Sequence, residues 1–265
     1  MLSTPHSAHY PQAKAALERG LHVLVEKPMV TSSRHANELW KLVDKSKKLL
    51  GITFQAPYTP EFGYLAAERD KGHLGKVQII SGWLSQMWMH NTAKTWRQDP
   101  KISGGGQMYD SGAHLLNAIM WLMNDPVIQV GCFINKCDSP VDINGVVIAR
   151  FQNGAIASIA IGGNCPLFRS EIQIQTDEMF IITDQYGGKL EMIGKENKPI
   201  PIHLHKDASP PGSSPHANFV QAILGKQPLR APVRYGVLLS VLMDAIYESA
   251  STGRLIDVKP VPREI

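Results

Sequence analysis

The sequence predicts two kinds of sheet in one chain: part of a parallel α/β unit over residues 1–60, then an α+β domain over 61–265 on a mostly antiparallel, open-faced sheet. Three observations carry this. The first third alternates helix and strand signals, which implies parallel strands joined by crossovers. From Lys76 onward, strand signals follow one another with turn residues between them. With 265 residues, 43% hydrophobic and 19% charged, the chain can bury one large core or two smaller ones.

The elements follow in order. Residues 9–19 place apolar side chains at Ala13, Ala16 and Leu17 and stop at Gly20, a helix pattern. Residues 21–25 form a short β-rich run suited to a strand buried on both faces. Thr31, Ser32 and Ser33 offer N-caps to an amphipathic helix reaching about residue 50, with Gly51 as its stop. Residues 52–55 read as the next strand. Strands are then expected at 77–88, 127–134, 145–151, 155–161, 171–176, 179–183 and 189–192. Gln152-Asn153-Gly154 and Tyr186-Gly187-Gly188 supply turns between them. One long helix, 106–123, interrupts the strands. A Pro/Ser/Gly-rich loop at 207–215 precedes two closing helices near 216–225 and 232–251. Such a sheet needs helices on one face; the other is free to pair with a second subunit.

Composition removes several classes of function. The net charge is +4, and the one dense basic stretch, 41–48, reads as a solvated helix face, so no nucleic-acid partner is expected. Cys132, Cys137 and Cys165 are odd in number and lack zinc spacing, which fits free thiols in a reducing cytoplasm. No apolar run has the length of a membrane span, and the N-terminus lacks a signal-peptide pattern, so no membrane partner is expected.

Three stretches carry chemistry. Thr4-Pro5-His6, with His9, opens the first helix and can present backbone N–H groups to a ligand; a plain helix cap is the alternative. Glu26-Lys27-Pro28 lies at the carboxyl end of a buried strand, where open α/β sheets bind ligands; an ordinary strand-end ion pair is the alternative. Ser103 to His114 reads SGGGQMYDSGAH, with Asp110 and His114 four apart and so on one helix face. A carboxylate beside an imidazole suits proton abstraction from a hydroxyl; a satisfied core histidine or a metal pair are the alternatives.

Together and in this order, these motifs resemble the glucose–fructose oxidoreductase / inositol dehydrogenase (GFO/IDH/MocA) family across nearly the whole chain. Thr4, Pro5 and His9, the run His22-Val23-Leu24-Val25 and Glu26-Lys27-Pro28 are similar to the second half of its nucleotide domain. Leu74-Gly75-Lys76-Val77 is similar to the entry of its C-terminal sheet. Trp96-Arg97-Gln98-Asp99-Pro100 with Gly104-Gly105-Gly106, Asp110, Gly112 and His114 resembles its catalytic helix, and Asn218-Phe219, Asp244-Ala245 and Gly253-Arg254 resemble its end.

The resemblance implies a partial Rossmann-type sheet over 1–60 and a substrate-binding, oligomerisation domain over 61–265. It implies hydride transfer between NAD or NADP and a CH–OH carbon of a sugar, polyol or related hydroxylated molecule. Lys27 would hold the substrate hydroxyl near the nicotinamide. His114 would be the general acid/base, and Asp110 would position substrate or relay the proton. Thr4, Pro5, His6, His9 and Glu26 would line the cofactor crevice, and Trp96 and Arg97 would face the substrate. A homo-oligomer, dimer or tetramer, would form through the open sheet face.

The family's nucleotide domain also begins with a G-x-G-x-x-G turn, which this sequence lacks; roughly two β-α units, on the order of 60 residues, would precede Met1. A truncated gene model, a short protein completed by another chain, and a relic that lost its cofactor are the competing explanations. Pro57 stands where many relatives carry a basic residue. Two rival functions follow: a non-catalytic binding or assembly module, and metal-assisted hydrolysis by Asp110, His114 and perhaps His203 and His205. The second falls short of the three protein ligands that a catalytic metal needs.

Overall fold

The computed structural model describes residues 1–204 and 214–262. Helix α1 (His6–Glu18) is followed by β1 (Val23–Val25), α2 (Ser33–Ser46) and β2 (Leu50–Ile52). The strands pair in parallel with Leu24 opposite Gly51, and every residue of both is buried, as continuous apolar runs require. Leu2 lies parallel to Val25 on the far side of β1, its N–H donating to the Leu24 carbonyl at 2.8 Å. Three parallel segments therefore release their carboxyl ends side by side, into Thr4-Pro5, Glu26-Lys27 and Thr53-Phe54.

In this first unit several boundaries differ from expectation. The strand expected at 52–55 forms at Leu50–Ile52, because the chain turns at Gln55 after pairing with β1. Helix α1 starts three residues early, because Pro5 closes its N-terminus with the φ of −58° that proline fixes. Helix α2 is capped as expected by the Ser32 side chain, which accepts from His35 N–H. It ends at left-handed Lys47, not at Gly51. Gly51 lies inside β2, where a Cβ would come within 2.9 Å of the Phe219 ring, so close packing explains this glycine.

Helix α3 (Pro60–Asp70), which no sequence signal above anticipates, leads into β3 (Val77–Ser85), α4 (Trp88–Asn91), α5 (Pro100–Ser103) and α6 (Gly112–Met123). Then come β4 (Val127–Asn135), β5 (Asn144–Phe151), β6 (Ile156–Gly162), β7 (Arg169–Thr176), β8 (Phe180–Thr183) and β9 (Leu190–Ile193). Helices α7 (Pro215–Ile223) and α8 (Val233–Thr252) and the short β10 (Ile256–Asp257) close the chain. Of the expected loop 207–215, residues 207–213 lie outside the described residues, as does His205.

The large sheet runs β10-β4-β5-β6-β3-β7-β8-β9, antiparallel throughout except for the parallel pair β3–β6. Along β5 and β6, Val147, Ala149, Phe151, Ala157, Ile159 and Ile161 point to the covered face, where α6 and α8 pack. The alternate residues Val146, Ile148 and Ile156 are exposed, and Phe133 beside them is 82% exposed. This is the open apolar face expected from the strand patterns.

The expected strand 77–88 ends at Ser85, because Trp88 turns into α4 and buries against Val141 and Ile143. The expected helix 106–123 begins only at Gly112. Its first residues are held elsewhere: Gly106 N–H and Met108 N–H each donate to the Asp142 carboxylate at 2.7 Å, and Gln107 N–H donates to the Asp142 carbonyl at 2.9 Å. Three successive amides tied to the β4–β5 loop cannot also start a helix. Residues 104–111 form turns instead.

Candidate active site

Lys27 leaves the carboxyl end of β1, followed by a cis Lys27–Pro28 peptide, and reaches the turns ahead of α6. Its Nζ lies 2.5 Å from Asp110 Oδ1 and 3.0 Å from the Asp110 carbonyl, with side chains 14% and 10% exposed. The other carboxylate oxygen, Oδ2, accepts from Trp88 Nε1 at 2.8 Å and from Arg97 Nε at 3.2 Å. Burial alone would push the Asp110 carboxyl up. The Lys27 ammonium, the Trp88 N–H and the nearby His6 overcome it and hold the group well below the usual carboxylate range.

His114 sits in the first turn of α6. Its ring stands edge-on to Phe54, past the end of β2, at 6.4 Å, and lies 6.0 Å from Tyr186 in the β8–β9 turn. Among the described residues, no hydrogen bond engages either ring nitrogen. Burial, then the Lys27 charge, brings the imidazole down to about 3 against the opposing pull of Asp110. It is therefore neutral near pH 7, with a ring nitrogen available to accept a proton.

Asp110 and His114 do not act as a hydrogen-bonded pair on one helix face. Asp110 precedes the helix, and its oxygens go to Lys27, Trp88 and Arg97. The same donor set speaks against the metal reading, since a cation at Asp110 would have to displace two positive side chains. Among the described residues, no three His, Cys, Asp or Glu side chains gather as metal ligands would.

The remaining expected residues fall into two groups. His6 is buried with Nδ1 2.8 Å from the Ser103 carbonyl, edge-on to Trp96 at 4.7 Å, and burial brings it down to about 4. The Arg97 guanidinium, 41% exposed, lies 4.6 Å over the Trp96 ring. These three border the Lys27–Asp110 pair. His9, by contrast, is fully buried, with Nδ1 at 2.9 Å from the Pro28 carbonyl and Nε2 at 2.8 Å from that of Thr4. It braces the Thr4-Pro5 loop against the Lys27-Pro28 turn and has no free edge for a ligand. Thr4 donates to the Gln12 side chain at 2.8 Å, and Glu26 accepts from Thr53 Oγ1 at 2.7 Å.

Sequence reasoning missed Trp88, Phe54, Tyr186 and Asp142. Trp88 read as the end of a strand and Tyr186 only as a turn residue, so neither carried a signal of its chemistry. A dinucleotide fits what is present. The Thr4-Pro5, Glu26-Lys27 and Thr53-Phe54 ends share one edge of a parallel sheet, where open α/β sheets bind such ligands, and His114 lies there against Phe54 and within reach of the Lys27 charge.

Comparisons with known proteins point the same way. Residues 1–54 match the family model described as "Oxidoreductase family, NAD-binding Rossmann fold", and residues 64–182 match "GFO/IDH/MocA C-terminal domain". D-glucoside 3-dehydrogenase of Escherichia coli is 22% identical over 287 residues, covering 96% of this chain and 78% of the relative. An uncharacterized oxidoreductase of Bacillus subtilis, YfiI, is 25% identical over 174 residues, covering 60% of this chain and 43% of the relative. With a 1-carboxy-3-chloro-3,4-dihydroxycyclohexa-1,5-diene dehydrogenase of Comamonas testosteroni the match likewise spans only 45% of the relative. Levoglucosan dehydrogenase in complex with NADH and levoglucosan superposes with a TM-score of 0.87 at 20% identity, over 98% of this chain and 79% of that one. An inositol dehydrogenase homolog with NAD+ from Azotobacter vinelandii gives 0.86 at 19% identity, over 96% and 77%. At these identities the structural likeness speaks to the fold.

Proposed function

Because the chain belongs to the GFO/IDH/MocA oxidoreductase family, we propose that its protein oxidises a CH–OH group of a sugar, polyol or related hydroxylated small molecule, with NAD or NADP as cofactor. The observation that carries this reading is Lys27 paired to Asp110 beside a neutral His114 whose ring nitrogens no hydrogen bond engages among the described residues. The names of relatives that act on a D-glucoside and on levoglucosan support the substrate class.

The chain's own residues then divide the work. The Lys27 ammonium donates to the oxygen of the reacting carbinol and stabilises negative charge as it develops there. His114 accepts the hydroxyl proton, so that the O–H pair closes the new C=O bond. Asp110 aims the Lys27 ammonium, and Trp88 and Arg97 fix the carboxylate. A bound nicotinamide dinucleotide supplies the redox chemistry. Thr4, Pro5, His6 and Glu26 would hold it, with His9 bracing the loop. Trp96 and Arg97 border the substrate side.

Residues 1–60 are read as part of the dinucleotide-binding domain and 61–265 as the substrate and oligomerisation domain. The open face around Phe133, Val146 and Ile148 is the surface for a homodimer or tetramer, and Phe133→Asp should shift it toward monomer in sedimentation. The free thiols of Cys132, Cys137 and Cys165 suit the cytoplasm.

The test is calorimetric titration of NAD and NADP into the full-length gene product, followed by a spectrophotometric assay over sugars and inositols. Cofactor binding with turnover of at least one polyol is expected. Failure to bind either dinucleotide overturns the reading in favour of an assembly module.

A further inference from the structure

Tyr186 occupies a place that its sequence context does not announce. The β8–β9 turn that carries it is fixed at several points. Tyr186 N–H donates to Asp184 Oδ1 at 2.6 Å, and Gly187 N–H to the Asp184 carbonyl at 3.0 Å. Gly188 N–H donates at 2.8 Å to Oε1 of Glu61, a buried residue of α3. Gly187 and Gly188 take the left-handed φ values of 80° and 84° that such a turn requires.

The turn sets the Tyr186 ring 6.0 Å from His114 and 5.7 Å from Phe168, which is itself 57% exposed. The ring is half-buried, yet among the described residues no hydrogen bond engages its hydroxyl. A tyrosine kept only for packing spends its hydroxyl on the protein or on bulk water. This one borders the reacting groups. Burial, then Asp184 and Asp110, pushes the phenol up to about 12, so it stays protonated and is a hydrogen-bonding group, not a base.

We propose that Tyr186 is a specificity-determining residue of this site, its phenol hydrogen-bonding a substrate hydroxyl adjacent to the carbinol that His114 deprotonates, with Phe168 as the apolar wall against the C–H face of the same ring. The substrate class it selects is a cyclic polyol or sugar with vicinal hydroxyls. A mono-alcohol leaves the phenol without a partner, and a site built to bond a hydroxyl discriminates against ligands that lack it.

The inference rests on the dehydrogenase reading above, and the test separates the two. The affinities of levoglucosan, myo-inositol and methyl β-D-glucoside for the full-length gene product are measured by ligand-detected NMR with NAD present. Monodeoxy analogues of the best binder follow. One monodeoxy analogue should bind the wild type about tenfold more weakly, as loss of one hydrogen bond implies. Tyr186→Phe should weaken the parent by a similar factor while binding that analogue no worse than the wild type does, with an unchanged Tm. Parent affinity unchanged in Tyr186→Phe, or an equal loss for every analogue, overturns the assignment and leaves the dehydrogenase reading standing. A wild type that binds none of the polyols overturns both.

Discussion

Residues 104–114 carry one buried aspartate, Asp110, and are anchored by a second, Asp142, and the two meet opposite kinds of partner. Asp110 faces two cations, Lys27 and Arg97, with the Trp88 indole as its neutral donor. Asp142 faces neutral donors: Gly106 N–H, Met108 N–H and the Tyr247 hydroxyl at 2.6 Å. The first pair places a compensated charge beside His114, where it can act on a proton. The second fixes backbone and reaches nothing that reacts. One carboxylate serves the chemistry and the other serves the geometry on which that chemistry depends.

The largest effects should come from breaking the first arrangement. In the full-length gene product His114→Ala should lower kcat by about 10²–10⁴-fold, the range for loss of a positioned proton-transfer group. Lys27→Ala should lower it by about 10²–10³-fold, the range for loss of a donor to developing negative charge. His114→Ala should leave Tm nearly unchanged, because among the described residues no hydrogen bond holds its ring. Steady-state kinetics beside thermal melts checks both, and near-normal turnover in either variant removes that residue from the mechanism.

Asp142→Ala attacks the other arrangement. Two buried amides and the half-buried Tyr247 hydroxyl lose their acceptor, at roughly 1–3 kcal/mol for each group left unsatisfied. A drop in Tm on the order of 10 °C should follow, at about 2–4 °C per kcal/mol for a chain of this size. Gly106→Ala should act in the same direction, since its Cβ would stand 1.9 Å from the Asp142 carbonyl oxygen. An Asp142→Ala protein that melts like the wild type while losing turnover would place Asp142 in the chemistry and dissolve the contrast.

The contrast was half legible in the sequence. Lys27, Asp110 and His114 stood out because each lies in a short motif of functional residue types. The strands β5 and β6 were legible because their in–out alternation has period two. The partner of Asp110 was not legible. Local spacing placed it on a helix beside His114, whereas Asp142, some thirty residues onward, ties the preceding amides and delays the helix to Gly112. Tyr186 and Trp88 failed for the same reason: a turn residue and a strand end acquire their role from what lies across the fold. Gly51 shows the converse error, a packing requirement read as a helix stop.

Acid stability separates the two regions next. His114 and His6 fold with pKa values of about 3 and about 4, below the unfolded value near 6.5. The unfolded chain therefore binds more protons between those limits. Stability is complete above pH 6.5 and falls as pH drops toward 4. Asp110, held below its ordinary value, adds a further loss only under pH 4. Between pH 6.5 and 5 each histidine should contribute roughly 1–2 kcal/mol of the decline. Melts of wild type and His114→Asn over that window should show a flatter slope in the variant. An identical slope would mean that His114 is solvated and titrates normally.

The smallest effect is the most discriminating. Tyr247 is half-buried and stacked on Tyr109 at 5.9 Å, and desolvation with the nearby Asp142 charge keeps its phenol protonated as a donor. Tyr247→Phe deletes that one donor and leaves Asp142 in place with its two amide partners. The expected loss is about 1 kcal/mol, a few degrees in Tm, with kcat and KM unchanged. Lys27→Met deletes one donor from Asp110 in the same formal sense, yet it also removes the charge that holds the carboxyl low. There the Asp110 carboxyl should titrate higher, the His114 ring should lose one of the influences that hold it low, and both shifts can be followed by NMR. If Tyr247→Phe moved the His114 titration as far as Lys27→Met does, the two carboxylates would be one coupled network and not an anchor beside a reacting pair.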